Sequence, residues 1–277
     1  MGDVKINEGI IDFHTHIFPD RIAEKTISFL AEKAQIQPYI DGTEKGLISA
    51  MEKANVALSV ALPAITKPSQ FDSVNAFAEI INEKYAEQGR RIISFGGIHP
   101  ACEDIYGKMK TLADRGFKGV KIHPDYQDEY IDSENYIKIL EAAKEYGLIV
   151  VTHTGYDNGF PQLPMKCPPD RLRRALEAVP YEKVVLGHYG GHLVWEDVYK
   201  LVTDYNVYFD TAYTLSEIEP ELFKRILDKV GADRVLFATD SPWRDMKTEA
   251  EILCSYGLGA ETENKIFREN AVRLLGV

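Results

Sequence analysis

Eight short apolar runs, each followed by a stretch with helical spacing, recur along the whole sequence and constrain its fold more than any other feature. They cover residues 9–14, 57–62, 91–98, 119–123, 148–153, 183–188, 207–211 and 235–240. Each is nearly continuous in Val, Ile, Leu or Phe and is bounded by Gly, Pro or a polar residue. Strands buried on both faces of a parallel sheet have this appearance. Segment 71–88 carries apolar residues at 71, 74, 77, 78, 81 and 85, one stripe of a helix. Segment 133–146 opens on Ser133, a good N-cap, and sets Tyr136, Ile137, Leu140 and Ala143 on one side.

Strand–helix alternation predicts right-handed βαβ units and a parallel sheet. Eight units in 277 residues fit a closed α/β barrel of the (β/α)8 (TIM) type, spanning 1–277 as a single domain. Two insertions distort the alternation. Two helical segments, 21–34 and 43–54, follow the first strand, and the Pro- and Gly-rich stretch 155–169 reads as a lid over the barrel mouth. No GxGxxG follows the first strand and no GxxxxGK[ST] occurs, so nucleotide-binding folds lose their usual support.

Composition narrows the partners. An apolar fraction of 45% excludes a disordered chain, and 43 acidic against 32 basic residues give a net charge of −11. That balance argues against nucleic acid or an anionic membrane as partner, because both need a basic footprint. Three widely spaced cysteines without a CxxC pair suit a reducing compartment. The first ten residues lack a basic, apolar leader, and the longest apolar run, 56–65, falls far short of the roughly 20 residues that span a bilayer. The expectation is a cytoplasmic protein acting on a small molecule. A homodimer is compatible with such a barrel, although no sequence feature demonstrates one.

Chemistry enters with the seven histidines, six of which close a predicted strand or follow it within two residues. Parallel strands of a barrel end at one rim, where barrel active sites sit. His14 and His16 form an H-x-H whose members share a strand face. His153 in VVTHTG, His188 in VVLGHYGG and Asp240 in LFATDSPW each end their own strand. Imidazoles with one carboxylate are donors preferred by zinc and its neighbours.

The series DFHTH, KIHP, THTG, LGHYGG and ATDSPW resembles the amidohydrolase superfamily. The resemblance is strongest to the amidohydrolase-related branch that contains aminocarboxymuconate-semialdehyde decarboxylase and many metal-dependent hydrolases. It implies a distorted (β/α)8 barrel with one divalent metal, zinc first and manganese also compatible, held by His14, His16, His153 and Asp240. It further implies that His188 is the general base or polarising residue beside the metal. A carboxylated Lys121 bridging two metals, as in binuclear relatives, ranks below the single ion.

Candidate substrate contacts surround this set. Lys121 and His123 share a strand face; Trp243 and Arg244 follow Asp240, with Arg244 suited to a carboxylate. His192 lies four residues after His188, and Tyr156 stands in the lid segment. His99 and Asp210 are rim positions, the latter able to line the mouth or orient a neighbour, while Cys167 reads as structural. The expected activity is hydrolysis of a small amide, lactone or ester by a metal-activated water. Asp240 would take the water's proton and His188 would stabilise the oxyanion. The alternative is non-hydrolytic decarboxylation of an unsaturated or aromatic acid at the same site. A barrel that has lost catalysis is disfavoured by the complete ligand set, and a nucleic-acid phosphodiesterase by the −11 charge.

Overall fold

The computed structural model describes residues 9–89, 91–162 and 164–277. The expected lack of a leader falls largely on residues 1–8, outside those described. Among the described residues nine strands follow one another: β1 (Ile10–Thr15), β2 (Val56–Ala61), β3 (Ile92–Ser94), β4 (Gly96–Gly97), β5 (Gly119–Ile122), β6 (Ile149–Thr152), β7 (Val184–Leu186), β8 (Tyr208–Asp210) and β9 (Val235–Leu236). Each pairs in parallel with its sequence neighbour, in one sheet of β1–β3 and another of β4–β9.

The third predicted run is therefore two strands. Side chains of the helix Phe71–Glu87 replace the ladder at the break: Ser94 N–H donates to Asn82 Oδ1 at 2.7 Å, and Gly97 N–H to Asn75 Oδ1 at 2.8 Å. The ring is not interrupted, because Phe95 N–H still reaches the Ala61 carbonyl at 2.9 Å. On the other side Phe13 N–H donates to the Phe237 carbonyl and Asp240 N–H to the His14 carbonyl, both at 2.9 Å. These bonds close the (β/α)8 barrel, so that eight staves are made from nine strands.

Two buried clusters fill it. One, drawn almost wholly from strands and their ends, packs Phe13, Val60, Phe95, Val151, Val185 and Leu236 in the bore. Phe13 and Phe95 meet there edge to face with centroids 6.0 Å apart. The larger cluster joins the strands to the surrounding helices. Both insertions are present as expected. The first consists of helices Asp20–Ala34 and Glu44–Ala54, the second of these capped by Thr43 Oγ1, which accepts from Gly46 N–H at 3.0 Å. Ser133 likewise caps Glu134–Tyr146.

Residues 155–162 and 164–168 run as irregular chain before the helix Pro169–Ala178. They are fastened where Gly155 bridges to His192 and Tyr156 N–H donates to the His192 carbonyl at 3.0 Å. Only glycine fits at 155, since a Cβ would lie 2.2 Å from the His192 nitrogen and φ is +83°. No described helix is long and apolar enough to cross a membrane.

Candidate metal centre

His14 and His16, at the end of β1, come together with Asp240, which follows β9 in a left-handed turn with φ +64°. Few residues other than glycine tolerate that backbone, and aspartate, with its short polar side chain, is one of them. His16 Nε2 lies 2.9 Å and His14 Nε2 3.5 Å from Asp240 Oδ1. The other ring nitrogens decide what these atoms are. His14 Nδ1 donates to Asp210 Oδ2 at 2.8 Å, and His16 Nδ1 donates to the Leu62 carbonyl at 2.7 Å. In a neutral imidazole each Nε2 then carries a lone pair, which at His14 accepts from Lys121 Nζ.

Two lone pairs facing one carboxylate repel unless a cation lies among them, and the Lys121 ammonium meets only the one on His14. Zinc-type ions bind such donors at about 2.1 Å, which places tetrahedral ligand atoms roughly 3.4 Å apart. The observed 2.9 and 3.5 Å straddle that spacing. The donor set thus fits a divalent cation in number, chemistry and separation.

Charges in the site follow from burial. His14, His123, His153 and His188 all lie below the usual imidazole range, chiefly because burial disfavours the charged ring. For Asp240 burial acts upward, but its contact with His16 Nε2 and the fields of His14, His16 and His188 together outweigh it and hold the carboxyl well below its usual range. Lys121, 1% exposed, is pushed down to about 8 by burial, against the pull of Asp210, Asp240 and Asp157. Its Nζ donates to His14 Nε2 at 3.0 Å.

A relay of rings ties the remaining histidines together. His188 Nδ1 donates to the Ala212 carbonyl at 2.9 Å, so its Nε2 accepts from His153 Nδ1 at 2.8 Å. Both nitrogens of His188 are engaged, and it acts on this geometry by aiming His153. The resemblance expects His153 beside His14, His16 and Asp240. Its Nε2 groups instead with His123 Nε2 and Asp157 Oδ2, because the bond from Nδ1 to His188 fixes which edge of the ring faces that way. His123 and His153 stack at 4.2 Å between centroids.

The predicted substrate contacts divide. Trp243 and Arg244 line a cavity of about 340 Å³ together with Tyr39, Tyr213 and Glu217. Arg244 lies 3.9 Å above the Tyr213 ring and forms an ion pair with Glu217. His192 sits between His188, Trp195 and Tyr213, with its pKa pushed down to about 3 by burial. Tyr156 is half-buried and anchors the lid through its backbone. His99 Nδ1 accepts from Ala101 N–H, a turn contact apart from the metal centre. Among the described residues, His153 Nε2, His192 Nδ1 and Arg244 Nε are buried polar atoms without a hydrogen-bond partner.

Two aspartates matter more than the sequence suggested. Asp210 bridges the site, its Oδ2 on His14 and its Oδ1 taking the backbone N–H of His188 at 3.0 Å and of Ala212 at 3.1 Å. Asp157 was hidden in the lid, where the D-N-G turn and its place four residues after His153 were the available signals.

Histidines and aspartates gathered as a candidate metal site stand at the C-terminal rim of a parallel barrel, where barrel enzymes carry their active sites. The amidohydrolase family profile matches residues 11–277, and the chain belongs to that family. Among curated proteins, none matches the sequence. Solved structures share the fold at low identity. The 2,6-dihydroxybenzoate decarboxylase from Rhizobium is 15% identical with a TM-score of 0.74, over 97% of this chain and 99% of its own. The 5-carboxyvanillate decarboxylase from Novosphingobium aromaticivorans, solved with manganese and 4-hydroxy-3-methoxy-5-nitrobenzoic acid, is 15% identical at 0.74, over 97% of this chain and 96% of its own. An uncharacterised TIM-barrel protein from Bordetella bronchiseptica is 16% identical at 0.72, over 96% and 98%.

Proposed function

We propose that the chain is a metal-dependent decarboxylase of a small carboxylic acid, with hydroxylated aromatic acids as the first substrate class to try. This reverses the order of the two activities set out from the sequence. The observation that carries it is the near full-length likeness in fold to the dihydroxybenzoate and carboxyvanillate decarboxylases. The chemistry of the rim supports it. His14, His16 and Asp240 would hold the cation, zinc or manganese, which when bound supplies a Lewis acid for an oxygen of the substrate.

Lys121 Nζ, a buried ammonium beside His14, offsets the charge of a carboxylate brought into the site. The free donor capacity of Arg244 suits a second anionic or phenolic oxygen at the edge of the cavity. His188, held by Ala212 and His153, positions rather than transfers protons, and Asp240 stays ionised. The lid keeps bulk water from the reacting carbon, with Phe160 edge-on to Tyr126 at 4.8 Å and Asp157 against His123.

The test is turnover of dihydroxybenzoic and unsaturated acids in 18O-labelled water by the zinc- or manganese-loaded protein. Carbon dioxide release without label in the organic product is the expected result. Cleavage of an amide, lactone or ester with label in the new carboxylate would overturn it in favour of hydrolysis. Inactivity on both panels by protein with a full metal complement would also count against the decarboxylase.

A further inference from the structure

The two insertions meet across the barrel mouth at one residue. Lys33 stands in the last turn of the helix Asp20–Ala34. Its Nζ lies 3.3 Å from the centroid of the Phe160 ring and 4.5 Å from that of Tyr126. Phe160 belongs to the lid, and Tyr126 to the short helix Pro124–Gln127 that follows β5. We infer that Lys33 is a positioning residue, a cationic latch that holds the lid shut over the rim. The inference deepens the proposed function, on which its purpose rests, by naming what keeps the lid closed.

Three observations carry it. First, rings stand where a carboxylate would otherwise meet the charge. The chain has 43 acidic residues, yet among the described residues the Lys33 ammonium forms no ion pair. A cation over a ring face is attracted by the ring quadrupole, more strongly where water is excluded. Burial lowers the Lys33 pKa while the field of Asp157 acts upward, so the ammonium is partly out of water beside the lid.

Second, the same ring ties down the tip of the lid. Phe160 packs edge-on against Tyr126, and Gly159 lets the tip settle, since a Cβ there would lie 3.1 Å from the Tyr126 hydroxyl. Both residues fix Asp157: Gly159 N–H donates to its Oδ1 at 2.6 Å and Phe160 N–H to its carbonyl at 2.9 Å. Held in that turn, Asp157 Oδ2 lies 3.3 Å from His123 Nε2. Tyr126 N–H donates to His123 Nδ1 at 3.5 Å, so Nε2 carries the ring proton and points it at the lid carboxylate.

Third, the chain that carries Lys33 runs on into the mouth cavity. Ile36, Gln37, Pro38 and Tyr39 line it together with Trp243 and Arg244. Asn158 of the lid hydrogen-bonds Tyr213, another lining residue. Lys33 is therefore the joint between the lid and the wall of the cavity.

The experiment is hydrogen–deuterium exchange with mass spectrometry on the full chain loaded with zinc, without substrate, read at peptides covering 156–162. Lys33→Met keeps the unbranched stem and removes the charge, whereas Lys33→Arg keeps the charge. Lys33→Met should speed exchange there roughly 2- to 30-fold, the range that one cation–π contact supplies. The strands of the bore should be unchanged and Lys33→Arg close to wild type. Phe160→Leu should match Lys33→Met, and the double variant should add nothing further. Wild-type exchange in Lys33→Met would overturn the latch. Equal acceleration in Lys33→Met and Lys33→Arg would overturn it too, by showing that the stem and not the charge holds the lid, as would faster exchange throughout the barrel. Because no substrate enters the measurement, its failure leaves the decarboxylase reading standing, and failure of the turnover test leaves the latch standing.

Discussion

The bore and the rim of this barrel are neighbours built on opposite terms. Val151 in the bore and His153 at the rim stand two residues apart at the end of β6, both buried. Below, Phe13, Val60, Phe95, Val151, Val185 and Leu236 bury only apolar surface, and nothing there asks for a partner. Above, aspartates, a lysine and imidazoles are buried as deeply, and several of their polar atoms have no protein partner. Apolar burial lowers the free energy of folding in proportion to area. Burial of unpaired polar atoms raises it, and such atoms persist where a ligand completes them. The lower half therefore provides the stability against which the upper half holds a site poised for a cation.

The largest expected effect separates the two terms outright. Asp240→Asn should leave the chain folded and strip the ion from His14, His16 and position 240, since an amide gives the two Nε2 atoms no anion to share a cation with. Metal content by plasma mass spectrometry, read beside thermal unfolding without metal, checks this; a variant with full metal content breaks the comparison. Phe95→Ala should do the converse. Removing a fully buried ring from the bore is expected to cost about 3–5 kcal/mol in urea unfolding while the metal content of the folded fraction stays at the wild-type value. Equal loss of metal and stability would mean that bore and rim are one cooperative unit.

A smaller effect sharpens the contrast through pH. Glu249, buried beside the loops that carry Ser216 and Arg244, has its carboxyl pushed up to about 7 by burial, against the pull of Ser216 and Arg244. The folded chain then keeps a proton that the unfolded chain releases near 4.5. Stability from this group is present below about 4.5 and is lost as pH rises to about 7. Glu249→Gln should flatten that part of the urea midpoint–pH curve, by an amount on the order of 1–3 kcal/mol. An unchanged slope would show that another group carries the dependence.

Much of this was legible beforehand because strands and metal ligands leave periodic, local traces. The runs ending at His14, His153, His188 and Asp240 exposed both the staves and the rim, and Ser133 marked its helix start. What was hidden depends on contacts between distant segments. The break at Phe95 comes from Asn75 and Asn82 on a helix, which no run of strand residues reveals. The division of the donors follows from His188 turning His153, and from Asp157 in a lid without periodicity. Hydrolysis came first from the sequence because the ligand motif is shared by both chemistries, while solved structures that share its fold include decarboxylases.

The partners that set the imidazole tautomers differ in how open they are to heritable change. His14 relies on the side chain of Asp210, which a single codon change can remove. His16 and His188 rely on the carbonyls of Leu62 and Ala212, groups that every amino acid carries. Sequence drift at 62 and 212 can therefore alter packing while the proton pattern of those rings is passed on intact, so long as the backbone keeps its path. Position 210 has no such freedom, and random mutagenesis should find it intolerant where its carbonyl-bearing counterparts are permissive.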